Sequence, residues 1–126
     1  MSENTRGGTV ATDETVNLIS ADKVTGTSVY NPQGESLGSI YDVMINKVSG
    51  QVAYAVMSFG GFLGMGESYH PLPWRALRYD TRQDGYVVDI DRNRLEKAPY
   101  YRASDRPWAD RAYGRRVDEY YGYPPL

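Results

Sequence analysis

The chain predicts an all-β domain, and three observations carry that prediction. Between Leu18 and Ile90 short apolar runs alternate with turn signals, the texture of a sheet protein. The stretch Gln51-Val52-Ala53-Tyr54-Ala55-Val56-Met57-Ser58 sets β-branched and aromatic residues against smaller or more flexible ones at a period of two. A third run, 37–46, carries apolar groups at both parities, with Tyr41, Val43 and Ile45 on one face and Ile40 and Met44 on the other. Two apolar faces suit a small closed barrel better than an open sheet with one wet face.

In chain order, residues 1–16 are polar, aperiodic and too poor in apolar groups to offset the cost of ordering, so a disordered tail is expected. In Asn31-Pro32-Gln33-Gly34, Pro32 presets φ for the first central position of a turn and Gly34 suits its last, which places strands at 27–30 and 37–46. Lys47-Val48-Ser49-Gly50 turns the chain into the strand 51–58. Residues 68–74 are extended, because Pro71 and Pro73 remove donors and disfavour helix before them, and they mark an edge or a strand end. Strands at 76–79 and 86–90 flank a hairpin turn at 82–85. Five or six strands result. Asp91 is placed to cap a short helix through Leu95 to Lys97, which Pro99 stops.

The last segment, 100–126, differs in kind. It holds six tyrosines and Trp108 among five arginines and four acids, too aromatic for ordinary disorder, and 108–121 suits a helix that Pro124-Pro125 ends. The chain thus divides into a tail (1–16), a β domain (17–99) and an aromatic extension (100–126).

Composition excludes much chemistry. With 14 basic and 16 acidic residues the formal charge is -2, which gives no global field for nucleic acid or anionic membrane. The absence of cysteine removes disulfides, thiolate zinc sites, cysteine nucleophiles and iron-sulfur clusters. The longest apolar run, 52–57, is too short to span a bilayer, and the first residues lack the apolar core of a secretory signal, so a cytoplasmic protein is expected.

One stretch imitates a catalytic motif. Gly61-Phe62-Leu63-Gly64-Met65-Gly66-Glu67-Ser68 matches a phosphate-binding loop except that glutamate stands where lysine neutralises phosphate, and Tyr69-His70-Pro71-Leu72-Pro73 cannot begin the required helix. The glycines are therefore read as a connection between strands, with Phe62, Leu63 and Met65 either capping the domain or meeting a partner. His70, the single histidine, cannot build a multi-histidine metal site, and it reads as a polar strand residue. Glu67 and Asp42 are the carboxylates that acid-base chemistry would need, but such residues more often serve turn backbones or water. No catalytic, metal or cofactor residue is assigned. The arginines of the extension, offset by its acids to a sum near +1, favour packing over nucleic-acid binding.

The residues 18–98 resemble the PRC-barrel domain family. The resemblance rests on Gly26 ahead of Val29-Tyr30, on Gly34-Glu35-Ser36-Leu37-Gly38 followed by Ile40 and Asp42, on Gly50-Gln51-Val52, and on Phe59-Gly60-Gly61-Phe62-Leu63-Gly64 ahead of Pro73-Trp74. It implies a small PRC-type β-barrel of five or six strands, here with a short helical and aromatic C-terminal extension. Family members include the cytoplasmic domain of the photosynthetic reaction centre H subunit and the C-terminal domain of a bacterial ribosome maturation factor, both of which bind macromolecules. The implied role is a non-enzymatic interaction module. The seven aromatics of the extension, which gain by docking on this domain or a neighbour's, add the expectation of a homodimeric assembly module, with Phe62, Leu63, Met65, Tyr69, Trp74, Trp108, Tyr113, Tyr120 and Tyr121 as candidate contacts. The alternatives are an RNA- or ribosome-associated factor, and a peripheral support of a membrane electron- or proton-transfer complex.

Overall fold

The computed structural model describes residues 18–60 and 67–124. Six strands, β1 (Ser28–Tyr30), β2 (Ser36–Ile45), β3 (Val52–Gly60), β4 (Glu67–Pro73), β5 (Leu77–Asp80) and β6 (Gly85–Val88), form one sheet in the order β4-β3-β2-β1-β6-β5. Neighbours pair antiparallel except β1 with β6. Three α-helices, α1 (Ala21–Val24), α2 (Arg92–Glu96) and α3 (Ala112–Tyr121), and 3-10 turns at Trp74–Ala76 and Pro107–Ala109 complete the described chain.

The turn at Asn31 forms as its chemistry dictates. Gly34 N–H donates to the Asn31 carbonyl at 2.9 Å, and Gly34 sits at φ 86°, where a side chain would be strained. Asp91 caps α2 by accepting from Arg94 N–H at 2.7 Å, which leaves Leu95 to enter the core. Helix α1 has no counterpart among the sequence expectations. Ser20 caps it by accepting from Asp22 N–H, and its single buried residue is Val24. One turn is too short for apolar periodicity to register.

The expected closed barrel is not what forms: the sheet curls but does not close. A flat six-stranded sheet would hold its edges about 24 Å apart, whereas the link from Pro73 to Leu77, which includes the 3-10 turn Trp74–Ala76, reaches at most about 14 Å. The edges therefore approach at that end, yet β4 and β5 are not paired. The reason lies in β4. Tyr69 exchanges both backbone hydrogen bonds with Tyr101, at 2.8 and 3.0 Å, so the backbone groups of Tyr69 face the edge. Residues two and four places further on face the same edge, and these are Pro71 and Pro73, which have no N–H to donate.

Strict alternation along 37–46 fails as well, because β2 carries two extra residues, and a third register slip falls on its partner strand. Leu37 and Tyr41 are extra residues on β2, and Ala53 is extra on β3. As a result Leu37, Ile40 and Val43, three residues apart, all join the main core with Val29, Ala55, Met57, Leu72, Tyr86, Val88 and Leu95. Each bulge re-aims the side chains that follow it. Tyr41 is left 53 % exposed, and Ile45, at the end of the strand, is 53 % exposed as well.

Gly38 lies where strands crowd. A Cβ built there would meet the Ser58 carbonyl oxygen at 2.1 Å and the Met57 side chain at 3.2 Å. The glycine lets β2 and β3 approach directly over the core.

Candidate functional site

The C-terminal extension lies on its own chain and is fixed at four points. Tyr101 bridges the edge of β4. Tyr54, on β3, meets α3: its hydroxyl is 3.0 Å from Asp118 Oδ2 and 3.1 Å from the Gly114 carbonyl oxygen, so its one hydrogen has two acceptors. Arg94 donates to the Tyr120 carbonyl at 2.6 Å, and the Tyr120 hydroxyl donates back to the Arg94 carbonyl at 2.6 Å. Arg75 donates to the Pro124 carbonyl and lies over the Tyr123 ring. The sequence explains why α3 takes this bed. Tyr113 and Val117, four apart, share one helical face and bury against Tyr54, and Gly114 stands where a Cβ would strike the Tyr54 hydroxyl at 2.8 Å.

Between the start of this extension and the sheet runs a cleft of ≈ 260 Å³. Tyr41, Tyr69, Tyr101 and Trp108 form its aromatic walls, with Asp105 and Arg106 among the remaining lining residues. The rings follow one another in contact, Tyr41 to Tyr69 at 4.4 Å, Tyr69 to Tyr101 at 5.6 Å and Tyr101 to Trp108 at 6.5 Å. Their planes turn by 34°, 40° and 81° from one to the next, so the walls differ in orientation and are not a flat stack. Burial foremost raises the Tyr69 and Tyr101 hydroxyls above the ordinary phenol value, and the negative charges of Glu67 near Tyr69 and Asp42 near Tyr101 add to it.

The candidate contacts from sequence separate into groups. Tyr69 and Trp108 share the cleft, and Tyr113 packs behind it, its ring 5.1 Å from that of Trp108. Burial pushes the Tyr113 hydroxyl up to about 12. Trp74 is elsewhere, packed on the main core against Tyr86. Tyr120 and Tyr121 lie at the far end of α3, where burial raises the Tyr121 hydroxyl well above its usual value. Phe62, Leu63 and Met65 lie outside the described residues. Tyr41 and Tyr101 were not singled out by sequence reasoning. Tyr41 reads as a strand residue until its bulge is known, and Tyr101 reads as one tyrosine among six.

The fold does not bring Asp42, Glu67 and His70 together. His70 shares a cross-strand line with Met57 and Ile40 on the core face, while Asp42 lies in the next line, with Val56 and Pro71, and so points to the other face. Asp42 accepts from Val43 N–H at 2.8 Å, and Glu67 is exposed. His70 is buried between Phe59, edge-on at 5.1 Å, and Tyr100, stacked at 5.6 Å, with Nε2 3.1 Å from the Ser68 hydroxyl. Arg92 and Arg102 lie over those two rings.

Burial lowers the His70 pKa from 6.5 to about 4. Below 6.5 the unfolded chain takes up a proton that the folded chain refuses, so stability is full above 6.5 and falls as the pH drops toward 4. The loss by pH 5 is about 2 kcal/mol. Urea unfolding of the wild type and of His70→Leu at pH 7.5 and pH 5 reads this directly. The variant is expected to show a pH dependence smaller by that amount, and equal pH dependence in both proteins refutes it.

Among the described residues no group of three or more His, Cys, Asp or Glu is placed to hold a metal ion, and no helix is long and apolar enough to cross a membrane. Compared with known families, the chain matches the PRC-barrel domain model over residues 17–95. No curated protein matches it.

Proposed function

Since the chain belongs to the PRC-barrel domain family, we propose that it is a non-enzymatic protein-interaction module that assembles with a second copy of itself. Family membership suggests an interaction module, and the observation that carries the reading here is the exposed apolar surface at the β2–β3 hairpin. Val48 at the turn is 98 % exposed and Ile45 beside it 53 % exposed, and Met44 is only partly buried against the second core. Apolar side chains clustered at the tip of a hairpin favour an interface. The extension spends Tyr113 and Trp108 on its own sheet, which leaves this hairpin as the assembly surface.

Light scattering of the purified chain at tens of micromolar tests it. A mass twice the 14.2 kDa of one chain is expected, reverting to a single chain in Val48→Ser/Ile45→Ser with the fold retained. A monomeric wild type refutes self-assembly, and salt-sensitive retention on RNA by that monomer would favour the nucleic-acid reading instead.

A further inference from the structure

Elsewhere in this protein five aromatic rings of the extension and sheet lie under arginines. Arg75 lies over Tyr123 at 4.9 Å, Arg92 over Phe59 at 5.5 Å, Arg94 over Tyr120 at 5.2 Å, Arg102 over Tyr100 at 5.8 Å and Arg116 over Tyr113 at 5.5 Å. Tyr41, Tyr69, Tyr101 and Trp108 carry no such cation among the described residues, although these four rings converge on one cleft. The charge around them has the sign a cation needs. Asp105 lines the cleft, and its Oδ2 already accepts from Arg102 N–H at 2.9 Å, which fixes the carboxylate in place. Asp42 and Glu67 bear electrostatically on the Tyr101 and Tyr69 hydroxyls. Against these three carboxylates stands Arg106.

We propose that this cleft binds an organic cation, an alkylated ammonium or guanidinium head group, held over the rings of Tyr41, Tyr69, Tyr101 and Trp108 with Asp105 as its counter-charge. Four aromatic rings lining one space with a carboxylate beside them are the composition of sites that recognise quaternary and methylated ammonium groups. Size agrees. At ≈ 260 Å³ the cleft is smaller than the about 300–1,000 Å³ of pockets for whole drug-sized ligands, and it suits a head group. The ligand is either a free small cation or the cationic side chain of a partner protein. The bulge at Tyr41 is what turns the first wall toward the site.

Choline and its uncharged carbon isostere 3,3-dimethylbutan-1-ol are titrated into the full chain, followed by calorimetry and by indole fluorescence. Choline is expected to bind saturably, and the isostere about 10-fold more weakly or worse. Tyr41→Ala, at an exposed position, and Asp105→Asn are each expected to weaken choline about fivefold while melting as the wild type does, and Tyr100→Ala, outside the cleft, to leave it unchanged. A peptide bearing trimethyllysine that binds at least tenfold tighter than choline assigns a partner's side chain as the natural ligand, and equal or weaker binding assigns a free cation. Equal affinity for choline and its isostere overturns the proposal, as does the absence of choline binding to the wild type. Neither of these results depends on whether the chain is a dimer.

Discussion

Replacing Gly38 with alanine is expected to cost about 3 kcal/mol or more of stability, in the upper range for overpacking a core. The added methyl would sit 2.1 Å from the Ser58 carbonyl oxygen, which is backbone in the neighbouring strand and cannot rotate away. Relief requires β2 and β3 to separate. Gly38 also pairs with Val29 of β1, so separation loosens three central strands together. For a chain of this length the change corresponds to a drop of roughly 10 °C in melting temperature. Thermal unfolding followed by circular dichroism measures it, and a shift under about 2 °C would show that the strands give way easily.

The second large effect concerns the bed of α3. Tyr54→Phe removes the hydroxyl that serves Asp118, a residue only 2 % exposed whose Oδ1 already lacks a partner. Both carboxyl oxygens are then buried without a hydrogen-bonding side chain, at a cost of about 3 kcal/mol. The Tyr54 hydroxyl itself is held far above its ordinary pKa, by burial first and then by its hydrogen bond to Asp118, so its proton stays in place at any physiological pH. Hydrogen exchange should show the loss first in α3. Because the penalty belongs to the stranded carboxyl, Tyr54→Phe/Asp118→Leu is expected to return within about 1 kcal/mol of the wild type. A double variant as unstable as the single one would instead assign the effect to lost packing.

These results bear on what the sequence makes legible. Turn chemistry at Asn31-Pro32-Gln33-Gly34 and the cap at Asp91 are local, set by residues within one turn of each other, and both appear where the residues predict them. The six strands lie close to their expected places for the same reason, and the family resemblance agrees with the domain match. Register is another matter. Nothing in Leu37, Tyr41 or Ala53 announces an extra residue, because a bulge depends on the partner strand, and each one reassigns the faces of the residues beyond it. The cleft was hidden by the same limit. Its walls come from β2, β4 and the extension, which only the tertiary fold assembles. Pro71 and Pro73 did mark an edge, but reading them as one strand of a closed barrel missed that they keep it open.

That edge has a consequence for how copies of this chain associate. A sheet grows by adding strands to unpaired edges, and a molecule with two competent edges can extend without limit into a fibre. Here the β4 margin has lost two of its outward donors to proline and given a third to Tyr101, while the opposite margin is β5, which pairs only with β6 among the described residues. A molecule with one receptive margin can join one neighbour, and the pair then has nothing left to offer. Any strand addition through this sheet would therefore be confined to the β5 margin and would stop at two chains.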